Sequence, residues 1–178
     1  MFNPKDSKTV GYHLFLLPEG ELFDSLQNTI NQLAKKYQGV KFEPHATLLA
    51  RIPKANEAEL IAKTKELAAV MEPFEIEPKE ICVEDAYFRA LYCKAEYNPK
   101  LEEYHQKALE MFGVQDVNKY MPHVSLYYGN ALQSMKDEMI TSLSLPTDMK
   151  FLVDKIYLYR TEGEAQDWVR VGVYPLKK

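Results

Sequence analysis

The chain has 178 residues, 46% hydrophobic and 27% charged, with 22 basic against 26 acidic side chains and a formal net charge of −4. That length and balance suit a single globular domain with its own core, and they exclude a disordered or low-complexity chain. They also argue against a protein that coats long nucleic acid, which needs a basic surface; a small phosphate-bearing ligand needs only a few local donors. The two cysteines, Cys82 and Cys93, form no CxxC pair. A cysteine zinc site is therefore excluded, and two reduced thiols in strands are expected. The apolar run Tyr12 to Leu17 is too short for a membrane span or a signal-peptide core. The expectation is a soluble cytoplasmic protein, monomeric and without membrane contact.

Residues 9–17 are apolar on both parities, as in a covered strand ended by Pro18 and Gly20. Leu22, Leu26, Ile30, Leu33 and Tyr37 then follow helical spacing, and Gly39 is read as the helix breaker. Residues 45–52 read as a strand closed by Pro53. Asn56 and Glu59 stand where an N-cap and its reciprocal partner belong, ahead of a helix carrying Leu60, Thr64, Leu67 and Met71. Residues 74–84 read as one strand, with Pro78 as an interruption. The pattern then restarts. Residues 86–95 are strand-like, and Asn98-Pro99 is a cap followed by proline at the first helical position. Leu101, Tyr104, Ala108 and Phe112 supply that helix's buried face before Gly113. Residues 123–128 read as a strand, 131–143 as a short amphipathic helix, and 151–159 and 168–174 as closing strands. Each half, about 9–84 and 86–174, thus reads strand, helix, strand, helix, strand, with no flexible linker between. One bilobal domain over 1–178 is expected.

A short sequence repeats with the elements. Pro44-His45-Ala46-Thr47-Leu48 and Pro122-His123-Val124-Ser125-Leu126 both read Pro-His-x-(Thr/Ser)-Leu, at the start of the central strand of each half. Residues i and i+2 of a strand share a face, so each copy presents an imidazole and a hydroxyl together, roughly 6.5–7 Å apart. If a pseudo-twofold axis relates the halves, two imidazoles and two hydroxyls meet in one cleft. Imidazoles titrate near neutrality, so one can take a proton while the other gives one. Hydroxyls can donate to the non-bridging oxygens of a phosphate. Cleavage of a cyclic phosphodiester, with water as nucleophile, fits these groups. No cofactor or metal is called for: the sequence has no HExxH-like signature.

Tandem His-x-(Thr/Ser) motifs in a duplicated chain resemble the 2H phosphoesterase superfamily. Within it, Tyr12–Pro18, Phe42–Leu49 and Met121–Gly129 resemble the plant and yeast cyclic phosphodiesterases. The resemblance implies an α+β fold of two pseudo-symmetric lobes, with antiparallel sheets flanking a central cleft. It implies hydrolysis, without metal, of ADP-ribose 1″,2″-cyclic phosphate or a nucleoside 2′,3′-cyclic phosphate. It assigns catalysis to His45 and His123 and phosphate binding to Thr47 and Ser125. His123 is read as the base and His45 as the acid, although the symmetry allows the reverse. Such members line the site with a tyrosine matching Tyr128, whereas strand parity favours Tyr127. They carry a tryptophan in the first strand where this chain has Phe15. Alternatives are RNA-end processing of the 2′–5′ RNA ligase type, a non-catalytic phospho-ligand module, and an interaction protein with relic motifs.

Other residues have plainer readings. His13 shares the parity of Phe15 and reads as either cleft-facing or packed. His105 reads as a packed helix residue and Trp168 as core. Tyr92 is the one member of the aromatic cluster around it read as lining the cleft. Arg51, Arg89 and Lys119 are candidate anion attractors that more often prove to be solvated charges.

Overall fold

The computed structural model describes residues 7–115 and 119–177. Its elements are β1 (Tyr12–Leu16), α1 (Gly20–Tyr37), β2 (Ala46–Ile52), α2 (Glu57–Val70), β3 (Phe74–Ile76), β4 (Pro78–Cys82), β5 (Leu91–Ala95), α3 (Pro99–Phe112), β6 (His123–Tyr127), α4 (Gln133–Ser142), β7 (Phe151–Val153), β8 (Lys155–Arg160) and β9 (Val169–Pro175). The architecture is α+β with antiparallel sheets. Helix starts follow the side-chain chemistry. The Asn56 side chain accepts from the Ala58 amide, and Asn98 accepts from Lys100 and Leu101, with Pro99 opening α3 where no amide partner is needed.

Seven strands run β4-β5-β6-β2-β1-β8-β9, and β3 pairs with β7 separately. The order is nearly a palindrome about the β6–β2 contact. Each half contributes its first two strands to its own side, but β4 pairs with β5 of the second half, and β8 pairs with β1 of the first. The helices cross over as well: α1 packs on β6 and α3 on β2. The halves are thus interleaved. Rather than two sheets flanking a cleft, one seven-stranded sheet runs through the molecule, joined at its middle by the pair Ala46–Val124.

Two of the expected strands are each two. The 74–84 segment breaks at Glu77 and the 151–159 segment at Asp154, and in both the piece after the break joins the large sheet. Pro78 cannot donate to a ladder, which suits it to a strand's first position. The 86–95 segment opens with a 3-10 turn at Tyr87–Arg89, and its strand starts only at Leu91. Gly39 does not supply the left-handed residue ending α1; Gln38 does, with φ of 57°. Gly39 is required for space. A Cβ there would lie 2.4 Å from the Tyr127 ring and 2.7 Å from the Tyr128 carbonyl oxygen.

One face of the large sheet lies under the helices and carries the main core, including Leu14, Leu16, Ala46, Leu48, Val124, Leu126, Ile156 and Leu158. Strand alternation places the neighbours of these residues on the other face. That face carries Phe15, Tyr157 and Tyr159, with Trp168 packed against them. Cys93 lies in the core and Cys82 pairs with Tyr92 across β4–β5; both are free thiols. No helix among the described residues is long and apolar enough to cross a membrane.

Candidate active site

Ala46 and Val124 pair across β2 and β6 with their side chains in the core. Their neighbours therefore all project to the opposite face. In an antiparallel register set by this pair, His45 stands across from Ser125 and Thr47 across from His123. Each imidazole thus faces the other motif's hydroxyl.

The two histidines are held alike. His45 Nδ1 lies 2.6 Å from the carbonyl oxygen of Glu43, and His123 Nδ1 lies 2.8 Å from that of Met121. A carbonyl only accepts, so each Nδ1 carries the proton and each Nε2 keeps its lone pair. The intervening prolines, Pro44 and Pro122, hold the preceding residue extended, which turns its carbonyl toward the ring two positions on. Burial lowers both pKa values. His45 is pushed down to about 4, with its Glu43 carbonyl opposing and the charge of His123 adding to the fall. His123 is lowered by burial against its Met121 carbonyl, with Arg89 lowering it further and Glu84 raising it. Both rings are therefore neutral at pH 7, with an unprotonated Nε2.

The hydroxyls differ. Among the described residues Thr47 makes no side-chain hydrogen bond, whereas Ser125 Oγ donates to the Phe88 carbonyl at 3.0 Å. That carbonyl belongs to the 3-10 turn before β5. The turn is fixed by the Gly129 amide donating to the Tyr87 carbonyl at 3.0 Å and by an ion pair from buried Lys136 to Asp85. Behind Thr47, Tyr120 donates to the Thr47 carbonyl at 2.8 Å, and the Tyr120 ring stacks on buried His105 at 3.7 Å. His105 Nδ1 in turn meets the Leu48 carbonyl at 2.7 Å. His105 is thus packed beneath β2, as its plain reading expected.

Tyr128, not Tyr127, faces the histidines. Its hydroxyl lies 3.4 Å from His45 Nε2 and its ring stacks on Phe42 at 3.7 Å. β6 stops at Tyr127, which turns into the core and donates to the Tyr37 carbonyl. Phe15 stacks on His45 at 3.8 Å. Tyr92 meets the His123 ring edge-on at 5.1 Å and donates to Glu84 at 2.6 Å, while Glu84 also pairs with Arg89. His13 is buried behind this wall, with Nδ1 2.6 Å from Thr161 Oγ1.

Trp168 departs from its expected core placement. It sits at the end of a 3-10 turn before β9, half-buried, with its ring 5.7 Å from Phe15 and 6.1 Å from His45. Its indole nitrogen donates to Thr9 Oγ1 at 3.0 Å. A cavity of about 290 Å³ opens beside His45, walled by Phe15, Phe42, Tyr159 and Trp168 with Gln27 among its polar groups. A larger hollow of about 590 Å³ lies beyond Tyr127, and none of the four motif side chains lines it. Among the described residues no three His, Cys, Asp or Glu side chains converge as a metal-binding group.

Two histidines, each two residues from a hydroxyl and brought onto one face by paired central strands of an interleaved antiparallel sheet, mark the 2H phosphoesterase superfamily. The family model of the 2′-5′ RNA ligase superfamily matches residues 21–165, and the chain belongs to that superfamily. The fold is similar to that of E. coli LigT in its apo form, with a TM-score of 0.64 at 12% identity, covering 97% of this chain and 100% of that one. It is also similar to TT0787 of Thermus thermophilus, with a TM-score of 0.61 at 16% identity, covering 93% and 97%. No curated protein matches the chain.

Proposed function

We propose that this protein hydrolyses a cyclic phosphodiester to a phosphomonoester, using His45 and His123 as an acid–base pair. The observation that carries the reading is the matched pair of imidazoles, each with Nδ1–H spent on a backbone carbonyl and its Nε2 lone pair left on the cleft side, set across one strand pair. Substrates that fit are ADP-ribose 1″,2″-cyclic phosphate, nucleoside 2′,3′-cyclic phosphates and, given the family, RNA ends bearing a 2′,3′-cyclic phosphate. E. coli LigT has itself been crystallised with phosphate and with 3′-AMP.

The aromatic cavity beside His45 supports His123 as the base and His45 as the acid. A nucleoside seated there puts its ribose next to His45, and water reaches phosphorus from the His123 side. His123 Nε2 takes a proton from water as its oxygen bonds to phosphorus. The opposite ring P–O bond breaks, and the departing ribose oxygen takes a proton from His45 Nε2. Burial keeps both rings neutral, so the acid proton arrives with the anionic substrate, whose charge favours an imidazolium beside it. Thr47 and Ser125 donate to the non-bridging oxygens, Ser125 by rotating its hydroxyl away from Phe88.

The test is phosphorus NMR of the protein with EDTA and each substrate class, alongside His45→Ala and His123→Ala. Conversion to a monoester that each substitution slows by about 10²–10⁴-fold is expected. Bound substrate recovered unchanged by the wild-type protein would support a phospho-ligand module instead.

A further inference from the structure

Two non-glycine residues among those described hold a positive φ, and one, Gln38, is accounted for as the left-handed end of α1. The other is Arg51, with φ of 59°, inside β2 and six residues past His45. Arginine has no preference for this conformation, where glycine or asparagine is at ease. The strain sits on a bulge. Leu14 pairs with Leu49 and Tyr12 with Ile52, so Ala50 and Arg51 together oppose His13. A bulge of this kind re-aims a side chain, here onto the face that carries His13, Phe15 and the catalytic pair. The guanidinium charge is close enough to His13 to disfavour its protonation.

Arg51 also differs from the other arginines in its partners. Arg89 pairs with Glu84, Arg160 with Glu57 and Arg170 with Glu43, while Arg51 is exposed and has no ion pair among the described residues. The carboxylates on that flank are spent: Glu57 on Arg160, and Glu162 on Lys54. A strained, uncompensated guanidinium stands on the same strand as His45 and Thr47, four residues past Thr47, about 13 Å along it by strand rise before the bulge shortens the path.

We infer that Arg51 is the docking point for a second phosphate of the substrate, one carried on the 5′ oxygen of the ribose that bears the cyclic ester. This rests on the proposed hydrolysis of a cyclic phosphodiester. The same chemistry occurs in the next phosphodiester of an RNA end and in the pyrophosphate of ADP-ribose 1″,2″-cyclic phosphate. A guanidinium meets either one through paired N–H donors.

The test compares wild type, Arg51→Asn, which the left-handed backbone accepts, and Arg51→Lys, which restores charge without the fork. Each is assayed with a nucleoside 2′,3′-cyclic phosphate, with ADP-ribose 1″,2″-cyclic phosphate, and with a short RNA ending in a 2′,3′-cyclic phosphate. Arg51→Asn raises KM about tenfold, the lower end for a charged hydrogen-bond pair, only on substrates with the second phosphate. On RNA it also reduces the slope of log affinity against log salt by about 0.7. Arg51→Lys recovers part of both, and the substrate with the larger KM effect identifies the source. Equal losses on all three substrates, or none, overturn the inference. A parallel binding measurement needs no turnover: Trp168 fluorescence titrated with 3′-AMP and with adenosine 3′,5′-bisphosphate. The wild type prefers the bisphosphate and Arg51→Asn does not. A preference that survives the substitution refutes Arg51 even if the protein hydrolyses nothing, whereas a wild type inert on every substrate refutes the proposed reaction alone.

Discussion

Replacing His13 by asparagine tests whether burial on the cleft face sets the protein's acid stability. Asparagine keeps an amide where Nδ1 meets Thr161 Oγ1 but removes the titrating ring. Burial, with the nearby charges of His45 and Arg51, pushes the His13 pKa from 6.5 down to about 3. The unfolded chain therefore binds this proton near pH 6.5 and the folded chain only near pH 3. Stability from His13 is complete above 6.5 and drains away as pH falls toward 3. Between pH 7.5 and 5.0 the loss is about 1.4 kcal/mol for each pH unit below 6.5, or about 2 kcal/mol. Urea unfolding at the two pH values, for wild type and His13→Asn, measures it. The variant's stability should fall by about 2 kcal/mol less than that of the wild type. Equal falls would mean that His13 is solvated or protonated in the folded state, and would refute the burial argument.

Two further outcomes follow from the packing. Trp168→Ala should lower kcat/KM on nucleotide substrates roughly 5- to 100-fold, the worth of one base–aromatic stack. Because Trp168 is the single tryptophan, ligand quenching of its fluorescence should give the same affinity as kinetics. Gly39→Ala should cost about 1–3 kcal/mol, read in a thermal scan, since its Cβ meets the Tyr127 ring and the Tyr128 backbone. An unchanged melting temperature would show that the loop yields without strain.

Much of the site is legible from local rules. The period of two along a strand puts His45 with Thr47 and His123 with Ser125, and the duplicated element order suggests a shared cleft. The choice between Tyr127 and Tyr128 depends on where β6 stops, and the chain that packs against that point, at Gly39, lies 88 residues earlier. Strand breaks at Glu77 and Asp154 stay hidden because the reason for each break is a change of partner. Nothing in 151–159 announces that Lys155–Arg160 leaves β3's neighbour to lie beside β1. Trp168 escapes the sequence for a related reason. It precedes β9, so strand parity does not apply to it, and its neighbours Phe15 and His45 are more than a hundred residues away in sequence.

The pairing of β8 with β1 has a bearing on synthesis. Tyr12 is translated nearly 150 residues ahead of its outer neighbour, Arg160. Trp168, which walls the cavity beside His45, comes later still. Closing so long a loop is slow compared with forming local helices. A ribosome-bound chain can therefore hold both His-x-(Thr/Ser) motifs while the flank that shapes the pocket beside His45 does not yet exist. Under the proposed reaction, turnover therefore waits for translation of β8, Trp168 and β9.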